Sequence, residues 1–335
     1  MQLLWVGATG GMEKGLVQRE GIPFQSIPAA GVHGIGLSAL PGNIARLVRG
    51  VFAARRLLKG FRPDVLFFTG GYVAVPMALA GWRIPSLLYV PDIEPGLALR
   101  TLARFADRIA VSAAEGGRAF RHPEKVVATG YPTRENLASW ERGAARRHLH
   151  LSDELPVILV SGGSRGARSI NEFVHSRLED LLELAQVIHI TGELDWPTVQ
   201  ARTSALAPGQ ASRYRAFPYL HEEMGAALAA GDLAVSRAGA STLGEYPLFG
   251  LPAILVPYPF AWRYQKVNAR YLVQHGAALL VENSQLSDQL LPAIRDLLNH
   301  PDRLAAMRAA MRALAHPRAA EEIGALLLAL AERRG

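Results

Sequence analysis

The residues most able to do chemistry lie where short apolar runs give way to glycine. Val157-Ile158-Leu159-Val160-Ser161 is followed by Gly162-Gly163-Ser164-Arg165-Gly166-Ala167. That order reads as a buried strand, a tight turn and a helix start. Glycines let backbone N–H groups come close to a phosphate, and a helix N-terminus adds a positive dipole end. A plain strand-to-helix turn has the same composition, and the full Walker pattern is missing, so ATP is not implied. Ser236-Arg237-Ala238-Gly239-Ala240-Ser241-Thr242-Leu243-Gly244-Glu245 repeats the theme with hydroxyls and a carboxylate. It suits a nucleoside diphosphate on the N–H groups, with Glu245 accepting from ribose hydroxyls. Read alone, Ser241 or Thr242 is equally an ordinary helix cap and Glu245 an ordinary first-turn charge. In Tyr264-Gln265-Lys266-Val267-Asn268, Gln265 and Asn268 stand three apart, facing the same way on a helix and able to bind sugar hydroxyls.

Candidates for a general base are fewer. Asp92 and Glu94 in Asp92-Ile93-Glu94, and His33 in Gly31-Val32-His33-Gly34, are the residues to consider. The chain has no cysteine, which removes disulfides, thiolate metal sites and cysteine nucleophiles. It also lacks the Asp-x-Asp pair of metal-using transferases, so neither a metal nor a cofactor is expected.

These segments need a frame that holds them at strand ends. Apolar runs predicted as strands are Leu3–Val6, Phe24–Ile27, Val65–Phe68, Ser86–Val90 and Arg108–Ser112 in the first half. In the second half they are Pro156–Ser161, Val187–Thr191, Arg213–Phe217, Leu233–Ser236, Ala253–Val256 and Ala278–Val281. Helical stretches alternate with them, the pattern of parallel sheets covered by helices, where ligands bind outside the carboxyl ends of strands. The 335 residues fit two such domains. TGYPTR at Thr129–Arg134 and the charged helix after it read as the linker, and Pro301–Gly335 as two Ala- and Leu-rich helices. The division expected is 1–134, 135–317 and a final helix 318–335 that packs back on the first domain.

Half the residues are apolar and 19% are charged, an ordinary globular balance. The net charge of +7 and a pI near 9.9 point to an acidic partner. Arg46, Arg49, Arg55, Arg56, Lys59 and Arg62 cluster in one helix-like stretch among Leu47, Val48, Val51, Phe52, Leu57 and Leu58. Both a solvated helix face and a helix docked on an anionic membrane fit that pattern. No zinc-finger spacing or aromatic RNA-binding motif favours nucleic acid. No apolar stretch is long enough to span a membrane and the start lacks a signal peptide, so the chain is expected to stay in the cytoplasm.

Taken together and in order, these segments resemble the GT-B glycosyltransferases that add N-acetylglucosamine to lipid I in peptidoglycan synthesis. The resemblance rests on Gly11-Met12-Glu13 with Leu16-Val17, Arg62-Pro63-Asp64-Val65, Gly70-Gly71-Tyr72-Val73, Pro95-Gly96-Leu97, Ala106-Asp107-Arg108 and the three segments above. It implies two Rossmann-like, doubly wound α/β domains facing a cleft, and inverting transfer from UDP-N-acetylglucosamine to a polyprenyl-diphosphate-linked acceptor. It further implies that Glu245 holds the ribose and that the loop at Leu220 and His221 frames the uracil. Gln265 would touch the sugar and Arg134 the diphosphate, while Gly70, Gly71 and Tyr72 would lie by the acceptor. Two departures stand out. Family members open with a strand and a Gly-rich loop containing a histidine, upstream of the segment that begins this chain, and an upstream coding segment of that kind is expected. Tyr89-Val90-Pro91-Asp92 replaces the family's His-Glu-Gln-Asn beside the acceptor. A glycolipid glycosyltransferase, a UDP-sugar epimerase of the same fold and an inactive UDP-sugar-binding subunit are the alternatives.

Overall fold

The structure is a computed structural model that describes residues 1–11, 13–29, 40–163, 166–259 and 264–333. The chain forms two compact units: residues 1–91, 95–129 and 321–335 make the first, and 92–94 with 130–320 the second. The change of unit after Thr129 falls within the predicted linker, and the final helix changes unit at Ala320.

In the first unit β1 (Trp5–Ala8) pairs in parallel with β2 (Phe24–Ile27). A separate four-stranded parallel sheet runs β3 (Leu66–Phe68), β4 (Ser86–Val90), β5 (Arg108–Val111) and β6 (Val126–Ala128). Two details differ from the sequence reading. β1 lies two residues further along than predicted, because the strand runs on until Gly10 turns at φ +80°, where the Glu13 carboxylate accepts the Ala8 N–H at 3.2 Å. β6 was missed: it is three residues long, lies at a sheet edge and is only partly buried, so hydropathy carries little trace of it. Ile27, Leu66, Phe68, Leu88, Val90, Ile109 and Val111 form one core with Ala54 and Leu58 of the helix Leu40–Phe61, and Val6 and Ala8 pack against it.

The second unit holds a six-stranded sheet of β7 (Val157–Ser161), β8 (Gln186–Ile190), β9 (Tyr214–Phe217), β10 (Leu233–Ser236), β11 (Ala253–Leu255) and β12 (Ala278–Leu280). All are parallel, in the order β12-β11-β10-β7-β8-β9. Every residue of β7, β8 and β10 is buried, as expected for a parallel sheet covered on both faces. The chain winds outward from β7 to β9, then returns to lay β10 on the other side of β7. That reversal opens a crevice at the carboxyl ends of β7 and β10, the place where doubly wound sheets bind ligands. Both glycine-rich segments leave the sheet there.

Beneath the sheet an ion cluster ties the unit together. The fully buried Arg146 donates to Asp232 at 2.6 Å, and Asp232 also receives the Val157 N–H at 2.9 Å and an Arg142 guanidinium at 2.6 Å. Asp232 immediately precedes β10 and Val157 opens β7, so this cluster fixes the two strands that flank the crevice.

Candidate donor-binding site

The turn after β7 is built on two glycines with positive φ, Gly163 at +81° and Gly166 at +76°. The Gly163 N–H is 3.3 Å from Ser161 Oγ, and the Gly166 N–H donates to the Gly163 carbonyl at 2.9 Å. A Cβ on Gly166 would lie 2.5 Å from the Thr191 carbonyl oxygen, so only glycine brings the turn this close to the neighbouring loop. Ser164, expected beside the phosphate, lies outside the described residues, as does the candidate base His33.

After β10 the chain does not pass directly into a helix. It makes a 3-10 turn at Ala240–Leu243 and then five helical residues, Glu245–Phe249, closed by Gly250 at φ +59°. Pro247 contributes no N–H, and the Arg312 side chain crosses the space that a Cβ on Gly250 would need. A short helix offers little dipole, so positive charge at this site has to come from a side chain. Arg134 is exposed, donates to the His221 carbonyl at 3.1 Å and acts electrostatically on Glu245. Burial raises the pKa of Glu245, while Arg134 and a hydrogen bond with Ser241 pull it back down.

These elements line a concave space of about 970 Å³ inside the second unit. Of the predicted donor residues, Arg134, Gly163, Gly166, Leu220, Arg237, Gly239, Ser241, Thr242, Glu245 and Gln265 border it. Their roles are not uniform. The Arg237 guanidinium is buried and donates to the Val256 carbonyl, Asn283 Oδ1 and Ser169 Oγ at 2.8 to 3.0 Å, which makes it a brace between segments. Thr242 Oγ1 donates to the Gly239 carbonyl at 2.6 Å and closes the turn. Gln265 Oε1 accepts the Tyr258 N–H at 2.9 Å, which fixes the amide at the border of the pocket.

Asn268 needs a correction. It belongs to the buried seam of the helix Tyr264–Gln274, with Ala269 and Leu272, and is fully inaccessible. Its Nδ2 donates to Asp92 Oδ1 at 2.8 Å and to the Ala238 carbonyl at 3.2 Å, and its Oδ1 accepts the Ile93 N–H at 3.0 Å. Three helical positions separate Gln265 and Asn268 by about 60° around the axis, enough to put one at the pocket and the other in the core. Asp92, a candidate base, is therefore clamped by Asn268; its burial raises its pKa and the Asn268 bond lowers it. Glu94 is partly exposed, and Tyr264, Ala240 and His221 do not border the space.

In the first unit Tyr89 also departs from expectation. It was placed at the acceptor, yet its ring is buried in β4 and its hydroxyl meets Ser112 Oγ at 2.9 Å. A strand residue buried on both faces of a sheet has no surface to offer. Gly70 and Gly71 form an open turn at φ +111° and +80°, followed by the exposed Tyr72.

The sequence reading missed Arg168, Ser169, Glu172, Ile190, Leu194, Tyr219, Met224, Tyr246, Tyr258, Pro259 and Asn283, which also border the space. None carries a local signal: they reach the pocket from several separate segments, Arg168, Ser169 and Glu172 from one helix. Among the described residues no group of three or more His, Asp or Glu side chains is placed to hold a metal ion.

A parallel sheet with its glycine turns at the reversal of strand order, beside a carboxyl under the electrostatic influence of an arginine, places the chain among GT-B glycosyltransferases. Known proteins agree. The glycosyltransferase family 28 N-terminal domain matches residues 1–111 and the family 28 C-terminal domain residues 157–323. A UDP-N-acetylglucosamine--N-acetylmuramyl-(pentapeptide) pyrophosphoryl-undecaprenol N-acetylglucosamine transferase of Roseiflexus sp. (strain RS-1) is 42% identical over 99% of this chain and 84% of its own. Its counterpart in Desulforudis audaxviator is 42% identical over 96% of this chain and 88% of its own. The crystal structure of Acinetobacter baumannii MurG superposes with a TM-score of 0.76 at 28% identity, covering 98% of this chain and 91% of that one. The chain belongs to this family of undecaprenyl-pyrophosphoryl N-acetylglucosamine transferases within glycosyltransferase family 28.

Proposed function

We propose that the protein transfers N-acetylglucosamine from UDP-N-acetylglucosamine to N-acetylmuramyl-(pentapeptide) pyrophosphoryl-undecaprenol, the reaction named for its relatives. The observation that carries this reading is the Glu245 carboxyl, partly buried beside Arg134 at the mouth of the glycine-turn pocket. Glu245 accepts from the ribose hydroxyls, Leu220 and the backbone of its loop frame the uracil, and the Gln265 amide reaches the sugar. Arg134 and the N–H groups of the glycine turns stabilise the negative charge that grows on the departing UDP. The acceptor hydroxyl attacks the anomeric carbon and inverts it in one displacement, losing its proton to a base. Asp92 and Glu94 are the described candidates for that base, and Asp92→Asn and Glu94→Gln separate them by their effect on kcat at constant UDP affinity.

The acceptor is carried by a membrane lipid, and no described helix is long and apolar enough to cross a membrane. The helix Leu40–Phe61 supplies a docking face instead. Ile44, Val48 and Phe52, one turn apart, are 48%, 49% and 65% exposed, with Arg46, Arg49, Arg55, Arg56 and Lys59 exposed around them. Apolar residues entering the interface and cations on anionic headgroups would hold the protein peripherally, on the cytoplasmic leaflet where UDP-sugars are found.

The deciding experiment incubates the protein with UDP-N-acetylglucosamine, with and without the undecaprenyl-linked acceptor. A disaccharide-bearing lipid and free UDP are expected only when the acceptor is present. Epimerised sugar formed without acceptor, or UDP-sugar binding with no transfer to any lipid, would overturn the reading.

A further inference from the structure

We propose that Asn171 and His189 are positioning residues for donor binding, holding the loop Thr191–Asp195 against the glycine turn Gly162–Gly166. This rests on the pocket of the second unit being the UDP site.

His189 lies in β8, 1% exposed, with Nδ1 2.7 Å from the Tyr214 hydroxyl and Nε2 3.0 Å from Asn171 Oδ1. The far end of the chain fixes the direction of every bond. Asn171 Nδ2 donates to the Thr191 carbonyl at 2.8 Å and to Asp195 Oδ2 at 2.7 Å, both of which only accept. Asn171 Oδ1 is therefore the acceptor for His189, whose proton sits on Nε2. Nδ1 is left bare, and the Tyr214 hydroxyl donates to it. Burial lowers the His189 pKa to about 3, so the imidazole stays neutral.

The Thr191 carbonyl at the end of this relay is the same oxygen that a Cβ on Gly166 would strike at 2.5 Å. Toward β9 the loop is held by two backbone bonds, Thr191 N–H to the Phe217 carbonyl and Gly192 N–H to the Pro218 carbonyl, each 3.0 Å, and by the Thr191 hydroxyl, which donates to the Phe217 carbonyl at 3.3 Å. Toward the helix Arg168–Ser176, which follows the glycine turn, it is held by Asn171 and by a looser Arg168–Asp195 ion pair at 3.9 Å, with Arg168 exposed. Asn171 thus sets the spacing between two stretches that line one pocket, Gly163 and Gly166 on one side, Ile190 and Leu194 on the other. Burying a histidine and an amide in a core is unfavourable unless every polar atom is matched, and an apolar pair would pack the sheet as well. The matched relay supplies a fixed geometry where the phosphate is held.

The test is UDP affinity by titration calorimetry on the full chain, with melting recorded in parallel. Asn171→Asp keeps the shape and turns both donors into acceptors facing Asp195 and Thr191. Two carboxylates at that distance share one proton at acidic pH and repel when it leaves. UDP affinity of this variant should be near the parent's at low pH and drop about tenfold relative to the parent's as pH rises, a loss equal to about 1.4 kcal/mol. Asn171→Asp with Asp195→Asn restores the 171–195 bond in reverse, though not the bond to the Thr191 carbonyl, and should recover the parent's pH profile and part of the affinity. Arg168, Glu172 and His175 on the helix, Glu193 in the loop, Arg202 in the helix Trp196–Thr203, His189 and Tyr214 are unchanged in the Asn171 and Asp195 variants, so the parent supplies their baseline. If Asn171→Asp does not fold, His189→Gln, which keeps a donor for Asn171, should bind UDP more tightly than His189→Leu. Parental affinity at every pH in the single variant, no recovery in the reversed pair, or equal binding by Gln and Leu at 189 would overturn the proposal. A parent that does not bind UDP would instead overturn the proposed function.

Discussion

The two units each present a glycine turn, and the surroundings of those turns differ. At Gly166 in the second unit, glycine is required twice: by its positive φ and by a carbonyl oxygen 2.5 Å from where a Cβ would stand. At Gly71 in the first unit only the φ of +80° demands it, for nothing lies within 4 Å of the same position. One turn is wedged against a braced loop; the other stands in the open beside the exposed Tyr72. The contrast teaches that the turn proposed to hold the donor is wedged against its neighbour, whereas the turn expected to meet the lipid-linked acceptor leaves open space beside Gly71.

Gly166→Ala tests the wedged turn most severely. The left-handed backbone costs an alanine about 1–2 kcal/mol and the overlap with Thr191 about 1–3 more. Chemical denaturation should show destabilisation of that size, and UDP titration a matching or larger loss of affinity. An alanine variant that binds UDP normally would erase the distinction between the two turns. On the first unit, replacing Arg49, Arg55 and Arg56 by Ala should weaken sedimentation with anionic vesicles by up to about 1 kcal/mol per charge, and added salt should weaken the parent likewise. UDP affinity should be unaffected; equal sedimentation of variant and parent would leave the helix Leu40–Phe61 as a merely solvated face.

Glu245→Ala sharpens the donor side further, with a loss of about 1.5 to 3 kcal/mol in UDP binding on a folded protein, the range for hydrogen bonds to a charged group. The same carboxyl gives the binding a pH dependence. Its folded pKa is raised by burial, so its contribution to stability is complete below the unfolded value of 4.5 and is lost as pH rises through the folded value. Ribose hydroxyls need the ionised form, so UDP affinity should climb with pH up to that raised value, with proton release on binding, and level off above it. An affinity independent of pH across the acid range would take Glu245 away from the ribose. The smallest effect belongs to Gly71→Ala, which should cost about 1–2 kcal/mol of stability from backbone strain alone. Calorimetry should find its UDP affinity equal to the parent's.

Much of this was legible in the chain itself. Periodic apolar runs separated by helical stretches determine parallel sheets, because a strand buried on both faces has to be apolar throughout, and β7, β8 and β10 show it. Glycine where the backbone must turn at positive φ, and Glu245 where a ribose would lie, are local facts written in consecutive residues. What only the tertiary structure decided is which polar side chains face the pocket and which hold it up. Asn268, Arg237 and Tyr89 have the residue types of ligand-binding groups, yet their hydrogen bonds go to Asp92 and Ile93, to Asn283 and Ser169, and to Ser112. The Tyr214–His189–Asn171–Asp195 relay draws one residue each from β9, β8, a helix and a loop. A sequence orders residues along one dimension and records the period of burial, which determines faces. The partner of a buried donor is chosen by which elements pack against one another, and that choice exists only once the chain has folded.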